Sequence, residues 1–444
     1  SNSRWPNPEA SVGEREYQSL GNINRYWSRC WQATGEVRRI FDEHLGTQIK
    51  EYIRENSDPV PAGVTWSIYM VGRSKDKSEP TIIISGGKEG DRGKKVRELI
   101  RDSPLLSGYP GIKTAYRREP PDLGHYKALA AEGMAADIRA GEAPQQPAVF
   151  CKPWGQTFGK QIFISQDLQA PLRQATAGGL LRCGEKYYYL TAAHAFLEDT
   201  EKAEVDPTMS DCDDEFDMDG SVRSTNTSTS GKRTTSNSLP ESLPLFPHTS
   251  QTLPASREQS QLFIEGTVPT PAPKPLDTSS PIHTQSGLIR LGEMVYSSHN
   301  GPHSSLDYAL IEVSVTSLLT FNEIPILDGT GTFLYPNRVV DTGPKDTDIV
   351  TVTGSAGFLR GRLSGTKSFR VGSAKGIIQE LWTVELFGTL ADGDCGSWVV
   401  DAQSGDVYGH IVAGNTESGF AYVVPACQVY NDIWKYFSDQ VELS

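Results

Sequence analysis

From about Glu201 to Gly287 the chain is rich in Ser, Thr and Pro and poor in aromatic residues. Ser224-Thr225-Asn226-Thr227-Ser228-Thr229-Ser230 and Pro269-Thr270-Pro271-Ala272-Pro273 are its plainest stretches. Such a composition cannot bury enough apolar surface to offset the entropy of ordering the backbone, so residues 201–286 are expected to form a disordered insertion. The run from Asp211 to Asp219 places six acids in nine residues and reads as solvated chain. Any domain that spans this region must therefore be assembled from two separated pieces of sequence.

Both flanking pieces have the same texture, short apolar runs punctuated by glycine. Residues 161–165, 176–182, 186–190, 286–296 and 308–315 read as strands, and strand texture continues from 348 through 424. A helix from Ala426 to Phe437 is expected to close the chain. The first 150 residues differ. Apolar residues from Tyr17 through Trp27, Trp31 and Val37 to Ile53 recur at helical spacing, which predicts two helices broken near Gly35. A hairpin across residues 74–79, a helix over 92–101 and an Ala-rich helix over about 124–140 complete an α+β module that could recruit a protein partner. The expected boundaries are 1–150 for this module, with 155–200 and 287–437 for the β domain.

Several function classes are disfavoured. A net charge of −13 argues against nucleic acid as a partner, because binding a polyanion needs a concentrated positive surface. No apolar run approaches the roughly 20 residues that span a bilayer, so no membrane role is expected. Six scattered cysteines show no zinc-ligand spacing and no dense disulfide pattern, so no metal is implied and a reducing compartment is favoured. No basic and apolar leader is visible, which fits a cytoplasmic or nuclear location. The glycine-rich turn between Gly86 and Lys95 departs from a phosphate-binding loop, with five residues between Gly87 and Gly93 and no Ser or Thr after the lysine.

Three segments carry chemistry. Acyl transfer by a side-chain nucleophile needs a base, a group that orients it, and backbone N–H donors aimed at the developing oxyanion. Thr191-Ala192-Ala193-His194 ends a β-rich run with a histidine, and Leu306-Asp307-Tyr308-Ala309-Leu310 puts an aspartate at the entrance of an apolar strand. Gly393-Asp394-Cys395-Gly396-Ser397 is a glycine-framed turn in which the N–H groups of Gly393 and Cys395 can point into one hole. Ser397 is a rival nucleophile that would sit beyond the turn.

These blocks, in the order His, Asp, nucleophile, resemble the signature segments of the chymotrypsin-like peptidase superfamily, in the style of trypsin-like domains embedded in larger fungal proteins. The resemblance covers about Phe158 to Tyr436 without the insertion. It implies two six-stranded antiparallel barrels with the site between them, a His194, Asp307 and Cys395 triad, and a protein or peptide substrate without metal or organic cofactor. Most of the superfamily has serine where this chain has Cys395, as in picornavirus-type cysteine peptidases. A thiol near an imidazole is a workable nucleophile. A substituted serine peptidase, or an inactive pseudopeptidase that binds peptides or serves as a scaffold, is the alternative. By the same resemblance Val412, Ala413 and Gly414 would hydrogen-bond an extended substrate, Thr389 would lie near the pocket floor, and His410 would either read a Gln or Glu side chain or be a plain strand residue. No cut N-terminus of the zymogen type precedes the barrels, so Asp394 needs another partner.

Overall fold

The computed structural model describes residues 5–17, 22–23, 26–27, 29–57, 60, 62–86, 92–122, 127–129, 131–132, 147–153, 156–165, 171–197, 217–218, 287–301, 303–314, 321–326, 331–372, 377–437 and 441–444. All but two residues of the expected insertion, and most of the expected helix over 124–140, lie outside them. The described part of that helix is strand: Lys127–Ala128 and Ala131–Glu132 each pair with a barrel edge.

The N-terminal part is built on β1 (Val12–Glu16), β2 (Arg29–Ala33), β3 (Val64–Gly72), β4 (Glu79–Gly86) and β5 (Lys113–Arg117). Strand β3 pairs along its length with β4, from Val64↔Gly86 to Val71↔Glu79, as the hairpin pattern predicts. The first of the two expected helices is instead β1 and β2. Cys30 and Trp31 are both buried, in clusters on opposite faces of the sheet, and a strand covered on both faces loses the period-two signal. The second helix forms, as α1 (Gly35–Ile40), a π turn (Phe41–Leu45) and α2 (Gly46–Asn56). Val37, Phe41, Leu45, Ile49 and Ile53, spaced four apart, are all buried along it. Strict four-residue spacing drifts around a 3.6-residue helix, and the wider π turn brings the stripe back toward the sheet. Helix α3 (Arg92–Arg101) covers the same face through Val96 and Ile100.

The first barrel comprises β6 (Ala148–Cys151), β7 (Lys160–Ser165), β8 (Arg173–Ala177), β9 (Gly179–Cys183), β10 (Lys186–Ala192), β11 (Ile289–Ser297) and β12 (Tyr308–Val313). Antiparallel pairing runs β7–β8, then through the bend at Gly178 to β9–β10, β10–β12, β12–β11, β11–β6 and back to β7. With β8 and β9 as one bent strand, this is a six-membered ring. A Cβ at Gly178 would lie 2.0 Å from Trp398 Cδ1, so the bend needs glycine.

The second ring comprises β13 (Thr347–Thr353), β14 (Gly357–Val371), β15 (Ile378–Leu386), β16 (Trp398–Asp401), β17 (Asp406–Gly414) and β18 (Phe420–Pro425). It closes in the order β13–β14–β15–β18–β17–β16. The chain is thus an α+β N-terminal part followed by an all-β double antiparallel barrel. The rings share one order but differ at one slot. The place held in the second ring by β16, between β13 and β17, is held in the first by β6, which precedes the other strands in the chain. The first barrel therefore begins at Ala148, inside the segment that sequence reading gives to the N-terminal module.

Nor does that module stand apart. The outer half of β14 pairs with β3 (Phe369↔Trp66), making one continuous sheet with the second barrel. Helix α4 (Ala426–Phe437) leaves the second barrel and ties back to the first, where the hydroxyls of Tyr296 and Tyr308 donate to Asp432 at 3.1 and 2.7 Å. Among the described residues no helix is long and apolar enough to cross a membrane. Cys30, Cys151, Cys183, Cys395 and Cys427 are free thiols.

Candidate active site

Strand β10 runs out into the short helical turn Ala193–Phe196, and strand β12 begins right after Asp307, so the pairing of these two strands sets His194 beside Asp307. Asp307 Oδ2 lies 2.6 Å from His194 Nδ1, and Oδ1 accepts the His194 backbone N–H at 2.8 Å. Asp307 is also one of only two non-glycine residues, among those described, with positive φ (46°). A left-handed aspartate at a strand entrance is strained, and its many bonds compensate for the strain. A second histidine shares the carboxylate: His299 Nε2 is 3.1 Å from Oδ1. A third, His410 of the second barrel, meets the Asp307 carbonyl at 2.9 Å. The carbonyl can only accept, so His410 carries its proton on Nε2.

These contacts set the charges. Burial raises the carboxyl pKa of Asp307, yet His194 and His299 outweigh it and hold the group well below the usual carboxylate range. Burial lowers the His194 pKa, and Asp307 and Cys395 together overcome it, holding the imidazole well above its ordinary value. An ionised Asp307 must accept, so Nδ1 of His194 carries the proton and Nε2 faces the other way. Nε2 makes no hydrogen bond, and Cys395 is the group that, besides Asp307, raises the pKa of the ring. His410 is pushed the other way, chiefly by burial, and stays neutral.

Cys395 sits in a turn that glycine makes possible. Gly393 and Gly396 have φ of 98° and 90°, and a Cβ at Gly396 would lie 2.1 Å from the Thr176 carbonyl oxygen. The turn is bolted to the first barrel: Thr176 N–H donates to the Cys395 carbonyl at 2.9 Å, and Thr176 Oγ1 donates to the Gly393 carbonyl at 2.8 Å. The partner that Asp394 needs is local. Its carboxylate, fully buried, accepts from the Ser355 hydroxyl at 2.7 Å, the Ser355 N–H at 3.0 Å and the Ala391 N–H at 2.8 Å. Ser397 is also buried and its hydroxyl donates to the Asp394 carbonyl at 2.8 Å, so it is spent on the turn.

The structure thus brings together His194, Asp307, Cys395 and Gly393 at the junction of the two barrels. It distributes the expected pocket residues differently. Thr389 is exposed, and its neighbour Leu390 is the side chain turned inward, 2% exposed and 2.8 Å from where a Cβ on Gly414 would stand. His410 is 2% exposed and its ring is occupied with Asp307, not with an open pocket. Val412, Ala413 and Gly414 lie at the end of β17. His299 and Leu390 went unseen in the sequence. His299 precedes Asp307 by eight residues, and only the fold of that loop brings the two together.

No family model matches the chain and no curated protein matches it. Solved structures do. A glutamic acid-specific serine protease, described as using a histidine triad in substrate binding, aligns at 10% identity and TM-score 0.31, covering 61% of this chain and 94% of that one. Thermobifida fusca protease A aligns at 11% identity and TM-score 0.31, covering 61% and 92%. Cellulomonas bogoriensis chymotrypsin aligns at 13% and 0.26, covering 34% and 75%. At such scores the architecture rests on the strand pairing above.

Proposed function

We propose that the chain is an endopeptidase that cleaves peptide bonds by nucleophilic acyl transfer through Cys395, His194 and Asp307. The observation that carries this reading is the bonded His194–Asp307 pair, with the Cys395 thiol, held in a positive-φ glycine turn, near enough to raise the pKa of the imidazole. In the reaction the Cys395 sulfur attacks the substrate carbonyl carbon with its proton held on His194 Nε2. Asp307 holds Nδ1–H and stabilises the imidazolium. The N–H groups of Gly393 and Cys395 stabilise the oxyanion. The imidazolium then protonates the leaving amine as the C–N bond breaks. Water hydrolyses the thioester, with His194 as base, and restores the thiol.

Profiling of a peptide library by mass spectrometry tests this. The native chain cuts, Cys395→Ala does not, and Asp307→Asn loses about a thousand-fold or more in kcat. Cleavage that persists in Cys395→Ala would favour the peptide-binding alternative, with a contaminant as the source of the cuts.

A further inference from the structure

The cleft is already filled, and by this chain. Lys127–Ala128 lies antiparallel against the end of β17, with Ala413↔Ala128 and Gly414↔Lys127 in register. Three residues on, Ala131–Glu132 lies antiparallel against the start of β8, with Gln174↔Ala131 and Arg173↔Glu132. One short stretch therefore adds a strand to an edge of the second barrel and then to an edge of the first, passing between them. The residue at the crossing is Leu129. Its carbonyl oxygen accepts the Gly393 N–H at 2.6 Å, the donor placed here in the oxyanion hole.

The side chain of Leu129 is fully buried. A Cβ at Gly414 would stand 2.8 Å from Leu390 Cδ1 and 3.1 Å from Leu129 Cδ1, so the bare backbone of Gly414 makes room for both. Strand addition supplies affinity through the backbone, and a pocket for one side chain supplies selectivity. A Lys127–Asp392 ion pair at 2.8 Å fixes the register at the exposed end. Upstream, the chain is anchored where buried Asp122 accepts the Tyr69 hydroxyl at 3.0 Å, so the N-terminal sheet delivers the segment to the cleft.

Resting on the peptidase reading above, we propose that residues 127–132 are an intramolecular substrate and that the chain cleaves its own Leu129–Ala130 bond. The site's substrate class is then an extended peptide with a medium aliphatic side chain before the cut bond, Leu390 and Gly414 being the residues that read it. Cys395 forms a thioester with the Leu129 carbonyl as the bond to Ala130 nitrogen breaks. The new amine takes its proton from His194. Water then releases a Leu129 carboxylate, and both product ends carry one water between them.

Purified full-length chain, incubated at neutral pH and followed by intact-mass and peptide-mapping mass spectrometry, is expected to gain a C-terminus at Leu129 and an N-terminus at Ala130. Cys395→Ala stays whole. Leu129→Asp also stays whole, and the native chain cuts an added Tyr-Lys-Ala-Leu-Ala-Ala-Glu-Gly peptide after its leucine, at least tenfold faster than after aspartate in the matching peptide. A native chain that cuts the peptide yet stays whole, or breaks elsewhere and not after Leu129, overturns the proposal and leaves the peptidase reading standing. A chain that cuts no peptide at all removes both.

Discussion

At the scale of the residue, the site is a charge arrangement around one carboxylate. Asp307 is depressed below its ordinary value of 3.8 and His194 is raised above its ordinary 6.5. By linkage, Asp307 contributes stability that is present above 3.8 and is given up as pH falls through that range toward its lower folded value. His194 contributes stability that is whole below 6.5 and is given up as pH rises through its higher folded value. The pair therefore adds most between those limits. In denaturant titrations, the stability gap between native protein and His194→Ala is expected to be widest at about pH 5 to 6 and to narrow in acid and in alkali. A gap that does not vary with pH would mean the pair is not ionised. The His194–Asp307 contact and the glycine turn around Cys395 were legible in the sequence because each sits in a local block whose neighbours dictate the turn. Leu390 was missed by one position, because which of two adjacent loop residues faces inward is decided by packing and not by residue type.

At the scale of the element, the nucleophile turn depends on backbone that only glycine takes easily. Gly396→Ala would place a methyl 2.1 Å from the Thr176 carbonyl at φ 90°. Strain of about 1–3 kcal/mol, plus displacement of the turn, is expected to lower Tm and remove peptide cleavage together. A fully active, equally stable Gly396→Ala would show that the turn is not held as described. Apart from β6, which sequence reading left inside the N-terminal module, the strands of both barrels were legible from glycine punctuation and apolar runs. Two further segments were not. Val12–Glu16 and Arg29–Ala33 fall where the sequence predicts a helix yet pair as strands, and Arg29–Ala33 is packed on both faces, which erases alternation. Residues 127–132 are Ala- and Leu-containing, a helix-favouring composition, but two barrel edges with open hydrogen-bonding groups outbid a weak local propensity.

At the scale of the whole molecule, the N-terminal part and the second barrel share one core. Trp66 of β3 stacks on Phe369 of β14 at 5.5 Å, and Val371 and Ile378 join the same cluster as Val37, Phe41 and Ile49. Nothing local announces this, since it depends on β14 running past its barrel to meet β3. Trp66→Ala is expected to cost about 3–5 kcal/mol and to shift one cooperative transition that includes the barrel. Calorimetry that instead resolved a separate N-terminal transition, with the barrel unmoved, would contradict a shared core.

The central claim is that the Cys395 sulfur, activated by His194, takes up an acyl group. Rapid mixing with a set of activated tripeptide esters, an acid quench and intact-mass spectrometry test it directly. The account predicts a mass increment equal to the acyl peptide, mapped to Cys395, absent in Cys395→Ala and formed far more slowly in His194→Ala. An increment carried by another residue, or one that survives in Cys395→Ala, would contradict it.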